Sequence, residues 1–105
     1  MSHAMVLVTC PDEDSARTLA RALVEAKLAA CAQLSPITSI YRWENQVEEE
    51  TEIRLILKTR AALFPRIQTF ISDHHPYEVA QIIQVPIQNG LPEYLGWMDE
   101  NTLSD

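Results

Sequence analysis

The run AACAQLSPITSIYRWENQVEEETEIRLILKTR, from Ala29 to Arg60, decides the fold. Ile37, Ser39, Tyr41 and Trp43 alternate with Thr38, Ile40 and Arg42. After the polar break Glu44-Asn45-Gln46, Ile53, Leu55, Leu57 and Thr59 alternate with Arg54, Ile56 and Lys58. Period-two alternation on both sides of a short polar break is the pattern of a β-hairpin. Arms of about a dozen residues, at ~3.3 Å each, project ~40 Å. That is more than a domain of 105 residues needs for its own sheet. The surplus is expected to pack on another subunit. Pro36, early in the first arm, predicts an edge position or a bulge.

Upstream, Met5 to Thr9 (MVLVT) is a continuous apolar run, suited to a buried central strand. Pro11-Asp12-Glu13-Asp14 then opens a helix, with proline and acids where a helix N-terminus favours them. Ala16, Leu19, Ala20, Leu23 and Ala26 follow at helical spacing, and the helix is expected to end near Lys27. Downstream, Ala62 to Ser72 reads as a second helix with Leu63, Phe64, Ile67, Phe70 and Ile71 as its apolar stripe. His74-His75-Pro76 breaks it. Val79 to Val85 reads as a strand, Pro86 to Gly90 as a turn, and Leu91 to Asn101 as a closing helix.

The order β-α-β-β-α-β plus a final helix is the split βαβ arrangement of a ferredoxin-like α+β fold. Right-handed crossovers give an antiparallel sheet of order 4-1-3-2. Strand 4 then lies beside strand 1. Cys10 and the residues just after His74-His75 are thereby expected on one rim of the sheet.

Composition limits the functions. One domain accounts for the length, taken as residues 5–105. Met1 to Ala4 are set aside as an appended remnant, and His3 is discounted as a ligand. The net charge of −7 opposes nucleic-acid binding. No apolar run approaches the ~20 residues that cross a bilayer, and no signal peptide is read at the N-terminus. Cys10 and Cys31 are therefore read as reduced thiols of a cytoplasmic protein. Cys31, among Ala29, Ala30 and Ala32, reads as plain core. With only Gly90 and Gly96, the chain has no phosphate-binding glycine loop. No convergent acid, base and nucleophile are visible, so no enzymatic activity is expected.

Six motifs in order carry a resemblance: LAAC (Leu28–Cys31), SIYRWE (Ser39–Glu44), the acids of Glu48–Glu52, ILKTR (Ile56–Arg60), HPYEV (His75–Val79) and YLGW (Tyr94–Trp97). Together they resemble the CutA family of divalent-cation-tolerance proteins, from about Val6 to Trp97. The resemblance implies a ferredoxin-like homotrimer, cytoplasmic and non-catalytic, linked to copper tolerance. It also implies an architecture similar to the PII signalling proteins, and leaves open a scaffold role with an unnamed protein partner. Ala80-Gln81 stand where the family commonly has Pro-Glu, so a possible charged ligand is missing at Gln81.

His74, His75 and Cys10 are the candidate ligands for copper or another divalent cation. Imidazole and thiolate suit copper. Adjacent histidines diverge in direction, so the pair needs a third ligand; the blander reading has His75 ending the second helix and hydrogen-bonding backbone, with His74 exposed. Cys10 is the natural third by topology, and a small buried apolar residue by the blander reading. The relatives proposed to bind copper carry their cysteine about two positions earlier. Glu48, Glu49, Glu50 and Glu52 read as a solvated arm that discourages edge pairing, or else as a weak, non-specific divalent-ion surface whose hard carboxylates prefer calcium or magnesium to copper. Tyr41, Trp43, Tyr94 and Trp97 read as subunit-interface aromatics. A second reading is a PII-like module holding a small anionic ligand between subunits, with Lys58, Arg60, Tyr77 and Glu78 around it.

Overall fold

A computed structural model describes residues 2–104. The order is β1 (His3–Cys10), α1 (Glu13–Glu25), β2 (Cys31–Trp43), β3 (Gln46–Arg60), a 3-10 turn (Ala61–Leu63), α2 (Phe64–His74), β4 (Ile82–Ile87) and α3 (Pro92–Glu100). The strands form one antiparallel sheet, β2-β3-β1-β4. This is the expected ferredoxin-like α+β order, read from the other edge.

β1 is central, and alternation sorts its side chains. Ala4, Val6, Val8 and Cys10 are buried in the helix-side core with Leu55 and Leu57 of β3. Leu19 and Leu23 of α1, and Ile67 and Ile71 of α2, close that layer. His3 and Ala4, set aside on sequence, are the first two residues of β1. His3 pairs with Arg60 and Ile87, and Ala4 is fully buried.

α1 begins on Asp12, whose Oδ1 accepts from the Ser15 amide at 2.8 Å. Its end is a Schellman motif without glycine. Lys27 takes a left-handed φ of 60°, its amide bonds to Val24, and the Leu28 amide bonds to Leu23. Leu23 and Leu28 meet in the core beneath the turn. α2 runs through His74, two residues beyond the expected end. The His74 Nδ1–H donates to the Phe70 carbonyl at 2.7 Å and extends the last turn.

The hairpin closes on two residues. Trp43 pairs with Gln46, while Glu44 and Asn45 have φ of 49° and 66°. Positive φ at both centres is the type I′ turn, whose twist matches the strands. β1 covers β3 only from Ile53 to Arg60. Ile37–Trp43 and Gln46–Glu52 therefore project as a two-stranded ribbon with no third strand among the described residues. The molecule is 44 Å long as a result.

β4 begins at Ile82 rather than at the expected Val79, and it includes Pro86, where the sequence predicts a turn. Val79 is exposed, and residues 75–81 form a tethered loop instead. Pro86 is tolerated because β4 is an edge strand. Pro36 sits on the other edge, in β2. α3 is held at the His3 end of the sheet. His3 Nε2 and Asp99 Oδ1 lie 2.8 Å apart, and Arg60 Nε donates to Thr102 Oγ1 at 3.0 Å.

Candidate functional site

The rim where β1 ends is organised by His75. Its Nδ1 accepts from the Tyr77 amide at 3.0 Å, so its proton is on Nε2. That Nε2–H donates to the Thr9 carbonyl at 2.7 Å. The shared rim expected from topology is thus realised, and His75 is the tie across it. Both ring nitrogens are spent on backbone.

His74 faces another way. It stacks on Phe70 at 4.4 Å and lines a hollow between α1 and α2 with Asp12 and Asp14. Only its Nε2 has no bond to the described residues. Cys10 is 1% exposed, and burial, reinforced by the charges of Asp12 and Glu52, pushes its thiol up to about 11. A thiol so held stays protonated at neutral pH, and it is the thiolate that binds metal. Among the described residues, no group of three His, Cys, Asp or Glu is spaced to hold a metal ion. Within one chain, then, His74, His75 and Cys10 share a rim without converging, and they do not fit a metal ion as a set.

Beside this rim lies a cleft of about 540 Å³ between the projecting ribbon and the loop 75–81. Tyr41, Trp43, Glu50 and Glu52 form one wall, and Tyr77 and Glu78 the other. β2–β3 pairing sets Ile37, Ser39 and Tyr41 opposite Glu52, Glu50 and Glu48. Opposite residues share a face, so these aromatic and acidic side chains lie on one side of the ribbon. The Tyr41 hydroxyl donates to Glu50 Oε1. The Tyr77 hydroxyl donates to Glu52 Oε2 at 2.7 Å and bridges the two walls. Burial first, then the Glu52 carboxylate, raises the Tyr77 phenol above its ordinary value. It remains a neutral donor.

Tyr77 and Glu78 line a cleft as expected, but Lys58 and Arg60 do not join them. Lys58 stands opposite Met5, and Arg60 opposite His3, at the far end of β1 from Thr9. Lys58 Nζ lies 5.8 Å from the centre of the Tyr94 ring, and Arg60 is buried against Thr102. A single subunit does not assemble that anion pocket. Sequence reasoning missed Glu50, Glu52, Tyr41 and Trp43 as cleft residues. The signal was the shared parity of the acids and the aromatics about the turn, which becomes readable once the turn is known to hold two residues.

Cys31 is half-buried on the open face, opposite Lys58, rather than plain core. Cys10 stands opposite Ile53, on the other side of β3. Five residues along β3 separate the two positions by ~17 Å, so no disulfide joins them.

No helix among the described residues is long and apolar enough to cross a membrane. The chain is 48% identical over 99 residues to the divalent-cation tolerance protein CutA of Thermus thermophilus, covering 93% of this chain and 96% of that one. It is 45% identical over 104 residues to Protein CutA of Mus musculus, covering 98% of this chain but only 59% of the mouse protein. The solved structure of CutA1 from Oryza sativa superposes with a TM-score of 0.97 at 34% identity, over 100% of this chain and 97% of the other. A solved structure from Thermus thermophilus, described as a divalent cation tolerance protein, superposes at 0.92 with 46% identity, over 95% and 98% of the two chains. The family model for the CutA1 divalent ion tolerance protein matches residues 4–101, and the chain belongs to that family.

Proposed function

We propose that this protein acts as a homotrimer in the response to divalent cations, copper first among them, without catalytic turnover. The observation that carries the assembly is the unsupported ribbon. Ile40, Val47 and Trp43 are exposed there, with no strand or helix among the described residues to cover them. A two-stranded ribbon is marginal alone in water, and apolar side chains on such an arm are stabilised by packing on a neighbour. The open face of the sheet, with Leu7, Ile56 and Val85 only half-buried, offers the neighbour a seat.

His74 is the one candidate ligand whose geometry leaves a nitrogen available, so the cation contact is assigned to its Nε2. Cys10 and His75 would have to give up burial and two hydrogen bonds to join it. Reduced, widely separated cysteines agree with action in the cytoplasm. Titration with Cu²⁺ of the wild type and of His74→Ala tests the ligand. Loss of the tightest binding step in His74→Ala is expected. Identical stoichiometry and affinity in the two proteins would reject the assignment.

A further inference from the structure

Among the described residues, one buried side-chain nitrogen has no hydrogen-bond partner, the Nε of Arg54. Arg54 stands on the open face of the sheet, between Thr9 of β1 and Ser35 of β2. It forms no ion pair with any described residue, although Glu52 lies two residues away on the same face. Tyr77 already donates to Glu52. A guanidinium nitrogen shut off from water is costly without an acceptor, and a carboxylate that reaches it removes that cost.

Alternation along β3 sorts its charges. Glu48, Glu50 and Glu52 share a face with Arg54, Ile56 and Lys58. The acids fall on the projecting ribbon, and the cations on the part of the strand that β1 covers. This face is negative toward the tip and positive toward the root. Two such faces repel when laid tip on tip and attract when laid tip on root. A tip-on-root contact is heterologous, and it closes into a ring when three copies complete the turn. Of the three acids, Glu50 is held by Tyr41 and Glu52 by Tyr77, while Glu48 has no partner among the described residues. Glu48 stands five residues beyond Ile53, where β1 stops covering β3, and so ~17 Å out along the ribbon. Within one chain it is ~20 Å along β3 from Arg54, too far to pair with it.

We infer that Arg54 of one copy binds the Glu48 carboxylate of a neighbouring copy, and that this pair sets the register of the ribbon on the neighbour's open face. The guanidinium fork suits a carboxylate and holds it in one geometry. The inference rests on the homotrimer proposed above and gives it a direction, ribbon tip over sheet root around the ring.

The test is sedimentation velocity on the full chain at physiological ionic strength, in urea that half-dissociates the wild type. Arg54→Glu and Glu48→Arg are each expected to raise the protein concentration needed for half-assembly about tenfold. The double reversal restores most of that loss. Additive losses in the double variant overturn the inference, and so does unchanged assembly in either single variant. Circular dichroism checks that each variant is folded. Where Arg54→Glu does not fold, Arg54→Gln and Glu48→Gln form the same cycle: non-additive effects support the pair, and additive effects overturn it. A wild type that sediments as one chain without urea overturns the trimer itself. An assembled wild type with additive variants overturns the Arg54–Glu48 pair alone.

Discussion

The Nε2–H of His75 donates a 2.7 Å hydrogen bond to the carbonyl of Thr9, tying the loop after α2 to the C-terminal end of the central strand β1. The neighbouring His74 makes no such tie, stacking instead on Phe70 at the surface. Removing His75 strands a half-buried carbonyl and the Tyr77 amide together. His75→Ala is expected to cost ~1–3 kcal/mol, while His74→Ala costs ~0.5 kcal/mol or less. Urea denaturation of the two variants checks the contrast. Equal losses would mean that the tie contributes nothing.

Cys10 gives a pH signature. Its folded pKa is raised from 9.0 to about 11 by burial. The stabilisation from the neutral thiol is therefore whole below the unfolded value and is lost as pH rises through about 11. Stability is expected to fall across pH 9–11, and Cys10→Ala to flatten that fall. At pH 8 an aromatic disulfide reagent should titrate the half-buried Cys31 first and reach Cys10 only on unfolding. Rapid reaction of both thiols in the native protein would contradict this.

Tyr77 is the donor to a buried carboxylate. Its raised pKa means that the protonated form is favoured by folding, so this contribution persists up to the ordinary tyrosine range and is lost only above it. Ultraviolet difference titration should show a tyrosine step, that of Tyr77, delayed beyond the ordinary range. Tyr77→Phe abolishes that delayed step and leaves Glu52 without its donor, which lowers the thermal midpoint. A variant with an unchanged midpoint and an unchanged titration would show that the bridge is not formed.

Lys27 occupies a left-handed position that favours glycine. Lys27→Gly keeps both Schellman hydrogen bonds and relieves the Cβ penalty. A gain of ~0.5–1 kcal/mol is expected, read as a higher urea midpoint at constant slope. A loss would place the stabilisation in the Lys27 side chain instead.

The fold was legible because its signals are local. Alternation about Glu44-Asn45, the run Met5–Thr9 and the Asp12 start of α1 each depend on neighbours in sequence. β4 was shifted because Pro86 reads as a breaker unless its strand is known to be an edge, which is a property of the whole sheet. His3 and Ala4 were set aside because their strand partners, Arg60 and Ile87 among them, are far along the chain. The candidate ligands were legible as chemistry but not as geometry. Nothing in the order of residues says that the Thr9 carbonyl and the Tyr77 amide take both nitrogens of His75. The cleft was illegible for the same reason, since it is made by a loop meeting a ribbon.

The ribbon formed by Ile37–Trp43 and Gln46–Glu52 is the element on which the assembly depends. Sedimentation velocity at low micromolar concentration addresses it directly. A single species of about three times the 11.9 kDa chain mass is predicted. A well-folded single chain of 11.9 kDa under those conditions would contradict it.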